Sequence, residues 1–194
     1  TPVVCLLGPR QSGKTTLART LEPRYTYITF DDAATLAFAQ ADPTGFVAAL
    51  PPRAILDEIQ RVPELMSTLK LAVDRDRRPG RFVLTASANL LLLPWLGDSM
   101  AGRMEVVQLQ PLTAAEQARV PGRFLAALLG GRLKPVVAPT APEAPLPLAG
   151  RIVAGGFPEA VARSPVRARA WHREYLRLLL ERDVRDVARV RDTT

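Results

Sequence analysis

A parallel five-stranded α/β sheet with helices on both faces, followed by a small helical carboxyl-terminal segment, is the fold this sequence predicts. Three observations predict it. Short apolar runs alternate with helix-patterned stretches through the first half of the chain. The first run leads straight into Gly8-Pro9-Arg10-Gln11-Ser12-Gly13-Lys14-Thr15, and a helical pattern begins where that octapeptide ends. A later run, Ala54-Ile55-Leu56, ends in Asp57-Glu58. Strands that are apolar throughout are buried on both faces, and helical crossovers between them make the sheet parallel.

The octapeptide has the form G-x-x-x-x-G-K-[ST], that of the phosphate-binding loop of P-loop NTPases. Gly8 and Gly13 allow a tight turn, so that successive N–H groups point inward at phosphate oxygens. Lys14 is placed to reach the β- and γ-phosphates, and the Thr15 hydroxyl to ligate Mg²⁺. Thr16 continues the helix, whose positive amino-terminal end favours an anion. Composition sharpens the motif. The chain has 23 Arg and only three Lys, and one of those lysines stands where the chemistry requires it.

In chain order, residues 3–7 predict the first strand, and Leu17, Ala18 and Leu21 a helix that stops at Pro23. Residues 25–30 predict a second strand, ending at Asp31-Asp32, and residues 33–40 a helix. Asp42-Pro43-Thr44-Gly45 is expected to be a turn. The third strand runs into Asp57, where a carboxylate belongs beside Mg²⁺, and Glu58 is the adjacent acid able to activate water. Leu65, Leu69 and Val73 form a helical stripe, residues 81–87 a fourth strand and 105–109 a fifth. Thr85 and Ser87 fall at the carboxyl end of the fourth. The run 90–96, with Trp95, reads as core or as an exposed patch. No N-K-x-D guanine reader occurs, so Asp42 and Gly45 are not taken as a guanine-nucleotide signature.

The second half differs in composition. Residues 135–147 hold five prolines, which predicts an extended linker exposed to solvent. A helix is expected at 148–154, halted by Gly155-Gly156-Phe157-Pro158, and another from Pro165, with Leu176, Leu180, Val184 and Val187 on one face. The expected organisation is an ATPase core at 1–115, a connecting segment at 116–147 and a helical segment at 148–194. Because the chain opens at Thr1-Pro2, almost inside a strand, it reads as part of a longer protein. Of the net charge of +7, residues 1–115 supply +1 and residues 165–194 supply +3. Arg169, Arg173 and Arg177 line one side of the last helix, which suits DNA or simply a solvated face. A single cysteine, Cys5, excludes an internal disulfide, and no run is long enough to cross a bilayer. Both fit a cytoplasmic protein.

The segments GPRQSGKTTL, ILDEIQ, FVLTAS, AGRM, GGFPE and W-x-x-x-YL followed by ERDV, in this order, resemble a prokaryotic family of AAA-superfamily P-loop ATPases. Its members usually carry a further nuclease-like domain of unknown function after the ATPase. The resemblance implies ATP and Mg²⁺ as ligands, with Lys14 and Thr15 holding phosphate and metal, Asp57 holding the metal through water, and Glu58 as base. It implies that Thr85 or Ser87 senses the γ-phosphate and that Arg103 is a finger or sensor arginine. Because Gly102 beside it lets the backbone project the guanidinium outward, Arg103 is expected to complete the site of a neighbouring subunit in a homo-oligomer; action within its own subunit, or an ordinary surface arginine, is the alternative. Pro158 is similar to prolines that back the adenine in related ATPases. At Ala86 the sequence departs from the family, which shows glycine there.

The leading expectation is therefore Mg²⁺-dependent ATP hydrolysis coupled to a partner or a carboxyl-terminal domain. Two alternatives stay open: a slow ATP-dependent switch with little turnover, and a nucleic-acid-binding module with an auxiliary ATP site.

Overall fold

The computed structural model describes residues 1–87, 100–122, 124–132 and 148–191, with residues 148 and 182–191 described as backbone. The 135–147 linker, the 90–96 patch with Trp95, and the side chains of Val184 and Val187 lie outside what is described. The chain divides into two compact units, Thr1–Gln110 and Pro111–Thr194.

In the first unit the elements run β1 (Val3–Gly8), α1 (Lys14–Arg19), β2 (Thr26–Thr29), α2 (Ala33–Ala41), α3 (Pro43–Ala48), β3 (Ala54–Asp57), a 3₁₀ turn (Ile59–Arg61), α4 (Leu65–Arg75), β4 (Phe82–Ser87) and β5 (Met104–Gln108). The five strands form one parallel sheet in the order β2-β3-β4-β1-β5. This is the α/β architecture the alternation predicts. The glycine-rich loop leaves an interior strand, β1, flanked by β4 and β5.

Strand alternation sorts the core into two layers. Val3, Cys5, Leu7, Leu56, Phe82 and Leu84 face the layer that holds Phe30, Phe46, Leu65 and Leu69. Leu6, Ile55 and Val83 face the other way, with Ala18 of α1, and Tyr25 and Tyr27 pack against them. Helices thus cover both faces of the interior strands, while β5, at the edge, is largely exposed, with Val106 and Val107 open on opposite sides. Each fully buried Leu, Ile or Phe contributes about 1.5–3 kcal/mol, and the layer that contains α4 buries far more of them. Burial pushes the Cys5 thiol up to about 11, so it stays protonated within β1.

One expectation fails here. Asp42-Pro43-Thr44-Gly45 opens helix α3 rather than forming an isolated turn: the Asp42 carboxylate caps the Gly45 N–H at 2.8 Å, and Pro43 occupies the first turn. Aspartate followed by proline is as good a helix start as a turn signal, and the apolar Phe46 and Val47 that follow are what the helix buries.

The second unit is helical where it is described: α5 (Ala114–Gln117), α6 (Phe124–Leu129), α7 (Leu148–Ala154), α8 (Pro158–Val161) and α9 (Pro165–Arg191). Its packed centre is aromatic. Trp171 and Tyr175 stack with ring centroids 4.9 Å apart, and Phe157 lies against both. His172 meets the Ala154 carbonyl at 3.0 Å, tying α9 to the end of α7. Leu112 donates its N–H to the Gly156 carbonyl at 2.7 Å, so close that a Cβ on Gly156 would overlap Leu112. Leu176 and Leu180, which share a face, are exposed within this chain. Among the described residues no helix is long and apolar enough to cross a membrane.

Candidate functional site

The register of the sheet brings the site together. Ala54, Ile55 and Leu56 of β3 lie beside Phe82, Val83 and Leu84 of β4, so the next step along each strand sets Asp57 beside Thr85. Gly8, where β1 gives way to the loop, lies beside Ser87. All these positions are at the carboxyl ends of parallel strands, where the open edge of an α/β sheet accepts a ligand.

Gln11 and Gly13 both take positive φ, 61° and 99°, and wind the loop so that the Leu17 N–H closes the first turn of α1 on the Gly13 carbonyl at 2.9 Å. No side chain caps α1, so its first N–H groups stay available to an anion. Gly8 is required for a second reason. Leu109, just past β5, donates to the Leu7 carbonyl at 2.7 Å, and a Cβ on Gly8 would overlap the Leu109 carbonyl oxygen.

Lys14 is 5 % exposed and donates to the Gly8 and Pro9 carbonyls at 3.0 and 2.9 Å. Burial lowers its pKa; Glu58 and Asp57 oppose that shift, while Arg10 adds to it. Ser12 is buried as well, and its hydroxyl has no hydrogen-bond partner among the described residues. A buried orphan hydroxyl costs about 1–3 kcal/mol. This one lies in a loop whose backbone is wound to present N–H groups, so a phosphate group fits the residues present.

Asp57, also buried, is held by hydroxyls alone. It accepts from Thr15 Oγ1 at 2.9 Å, from Thr85 Oγ1 at 2.5 Å and from the Tyr27 hydroxyl at 2.7 Å. It makes no ion pair with any described residue. Its three donors are neutral and fix its orientation, and the Lys14 ammonium lies near enough to interact with it; carboxylate and hydroxyl together suit a hydrated cation beside Thr15. Burial, and next the hydrogen bond to Asp57, push the Tyr27 hydroxyl up to about 12, so it is a donor at neutral pH. Thr85 does two things at once: it donates to Asp57 and accepts the Glu58 N–H at 3.0 Å. Glu58 leaves the strand in the left-handed region, φ 60°, and its carboxylate accepts a hydrogen bond from the Gln60 side-chain amide.

The structure therefore brings together Gly8, Pro9, Arg10, Gln11, Ser12, Gly13, Lys14, Thr15, Asp57, Glu58, Thr85 and Ser87, with Thr16 on the exposed side of α1. Arg103 does not join them. It directly precedes β5, at the amino edge of the sheet, where it clasps Asp74 with Nε at 2.7 Å and a terminal nitrogen at 2.9 Å. Pro158 belongs to the second unit, at the start of α8. Tyr27 and Gln60 are the residues that sequence reasoning did not single out. Their signal is the pairing of β2 with β3 and a 3₁₀ turn after Glu58, neither of which spacing alone reveals.

The parallel sheet, the wound glycine loop and the acid-ended strand β3, which β4 separates from β1, define an ATP-binding protein of the P-loop class. Residues 1–118 match the model of a family described as an AAA domain, and the chain belongs to that family. Residues 147–194 match a domain of unknown function. Two relatives, uncharacterized proteins of Mycobacterium bovis and Mycobacterium tuberculosis, are each 35% identical over 189 residues. Those residues are 94% of this chain and 36% of each relative, so the chain spans about a third of their length. A Walker-type ATPase of Pyrococcus abyssi is 14% identical with a TM-score of 0.48, covering all of this chain and 71% of that one.

Proposed function

We propose that this chain hydrolyses ATP with Mg²⁺ and uses the nucleotide state to act on a partner or on a further domain of a longer protein. The observation that carries the reading is Asp57, a buried acid held by three hydroxyls, one of them from Thr15 next to the phosphate-loop lysine. In this reading Lys14, Ser12 and the loop N–H groups bind the phosphates. Thr15 and Asp57 hold Mg²⁺, and Ser87, beside Gly8, faces the terminal phosphate. Bound Mg²⁺ would neutralise charge that develops on the phosphate oxygens. Glu58 takes the proton of the attacking water; Thr85 fixes both acids, one through its side chain and one through its backbone.

The test separates binding from chemistry. Lys14→Ala should lose nucleotide binding in a filter or fluorescence assay, because it removes the buried cation. Glu58→Gln should still bind while turnover falls by about 10²–10⁴-fold. Equal loss of binding in both variants would overturn this division of roles.

A slow switch is the second reading, and the Gln60 contact bears on it. The amide takes one acceptor position of the Glu58 carboxylate and so fixes its orientation; held turned from the attacking water, the base would act slowly. Single-turnover kinetics decide, since a switch shows full binding with a slow chemical step. DNA is the weaker partner proposal. Arg177 lies between Glu174 and Glu181, so part of the charge on α9 is matched on the helix itself. Arg169 and Arg173, both exposed, remain as the contacts to test by salt titration.

A further inference from the structure

We propose that Tyr27 is a positioning residue of this site, whose hydroxyl fixes the Asp57 carboxylate in the orientation that holds hydrated Mg²⁺. The inference rests on the ATP and Mg²⁺ reading above.

An ionised carboxylate offers about four acceptor positions. On Asp57, Oδ1 accepts from Thr15 at 2.9 Å and Thr85 at 2.5 Å. Oδ2 accepts from Tyr27 at 2.7 Å, and from Thr15 only at 3.2 Å. Tyr27 is therefore the one close donor on Oδ2 among the described residues. It leaves one position on that oxygen for a metal-bound water. Without it, Oδ2 would keep only the long contact from Thr15, and the carboxylate would be oriented through Oδ1 alone among the described donors.

The fold makes Tyr27 stiff. It lies on β2 beside Ile55, two residues before Asp57 on β3, and parallel strands put all three on the α1 side of the sheet. The Arg19 guanidinium of α1 covers the ring, 4.9 Å from its centre. The same helix begins with Lys14 and Thr15. One short helix thus supplies a donor to Asp57 at one end and clamps a second donor at the other. The ring packs against the apolar layer whether or not it carries a hydroxyl, so Tyr27→Phe isolates the hydrogen bond.

The experiment titrates Mg²⁺ into the full chain with a fluorescent, non-hydrolysable ATP analogue, and compares binding in EDTA. Outer-shell partners of metal sites affect affinity by about 10–100-fold. Tyr27→Phe should raise the Mg²⁺ concentration at half-effect about tenfold, with a clearly smaller change in metal-free binding and a Tm lowered by no more than one lost hydrogen bond explains. The double variant with Asp57→Asn should be no worse than Asp57→Asn alone, since Tyr27 acts through Asp57. An unchanged Mg²⁺ half-point overturns the proposal. So does an equal loss with and without metal, which would mean a packing role only, or additivity in the double variant. If wild type itself binds the analogue without any effect of Mg²⁺, the metal reading fails, and this proposal with it. A Mg²⁺ effect in wild type that Tyr27→Phe leaves intact sinks this proposal alone.

Discussion

Asp74 at the amino edge of the sheet and Asp57 at the carboxyl edge are held in opposite ways, although Asp31, past the end of β2, is paired with Arg61. At the amino edge, Asp74 is gripped by Arg103 and Arg77, and Asp76 by Arg78 with Arg81 nearby. The guanidiniums hold both carboxyls below the usual range; Asp74, chiefly through Arg103, is held down at about 2. At the carboxyl edge, Asp57 is just as fully hydrogen-bonded, but by hydroxyls. An arginine cancels a carboxylate's charge, whereas a hydroxyl only orients it. Asp74 is therefore paired off where it stands, whereas Asp57 is oriented by neutral donors and keeps an acceptor position for something else. Backbone strain follows the same division. In the first unit, the non-glycine residues at positive φ among those described are Gln11 and Glu58, both at the carboxyl edge. Each costs on the order of 1 kcal/mol, which a relaxed loop would not.

Four substitutions can break or sharpen this contrast. Thr85→Val should have the largest effect. It strips one donor from Asp57 and leaves the Glu58 N–H unmatched, so turnover should fall by about 100-fold with roughly 2 kcal/mol of stability. ATPase assays beside urea melts would show it; intact turnover would mean that Asp57 needs no such orientation.

Gly8→Ala comes next. The added methyl must displace the Leu109 carbonyl, at a cost of about 1–3 kcal/mol, and binding should weaken along with stability. Nucleotide affinity that falls at an unchanged Tm would show that the loop distorts without disturbing β5.

The amino edge should give the smallest effect, one confined to stability. Arg103→Ala ought to lower Tm by a few degrees and leave turnover of the remaining folded protein alone. Asp74 has a folded pKa depressed below its unfolded value of about 3.9, so its contribution is complete above that pH and is lost as pH falls toward about 2. The Tm gap between wild type and Asp74→Asn should accordingly narrow between about pH 4 and pH 2. If Arg103→Ala instead abolished turnover at unchanged Tm, the arginine would act as a finger on a neighbouring subunit. The contrast between the edges would then collapse.

Much of this was legible in the sequence because local pattern and chemistry agree. The apolar runs mark every strand of the sheet to within a residue or two at either end, and the loop and acid pair name their own chemistry. What escaped depended on neighbours distant in sequence. Tyr27 reads as one aromatic among several in a strand until β2 is known to lie beside β3. The dual use of Thr85 needs the β3–β4 register, since a sequence cannot say whether a strand-end hydroxyl meets phosphate or an adjacent acid. Arg103 was legible as a residue of note beside a glycine. Its placement away from the loop follows from its standing at the start of a parallel strand, while every loop residue stands at an end. Asp42 misled because Asp-Pro serves turns and helix starts alike.

The close approach of Leu109 to Gly8 bears on how such a protein would decay. Suppose a duplicated copy were released from any need to bind nucleotide. Lys14 and Ser12, one a buried charge and the other a buried orphan hydroxyl, would then be burdens with no return, and drift should replace them early with apolar residues. Gly8 would be kept, because its neighbour across the sheet leaves no room for a side chain whatever the loop is for. A degenerate descendant would thus show the first glycine of the motif standing alone, a fossil of packing rather than of phosphate.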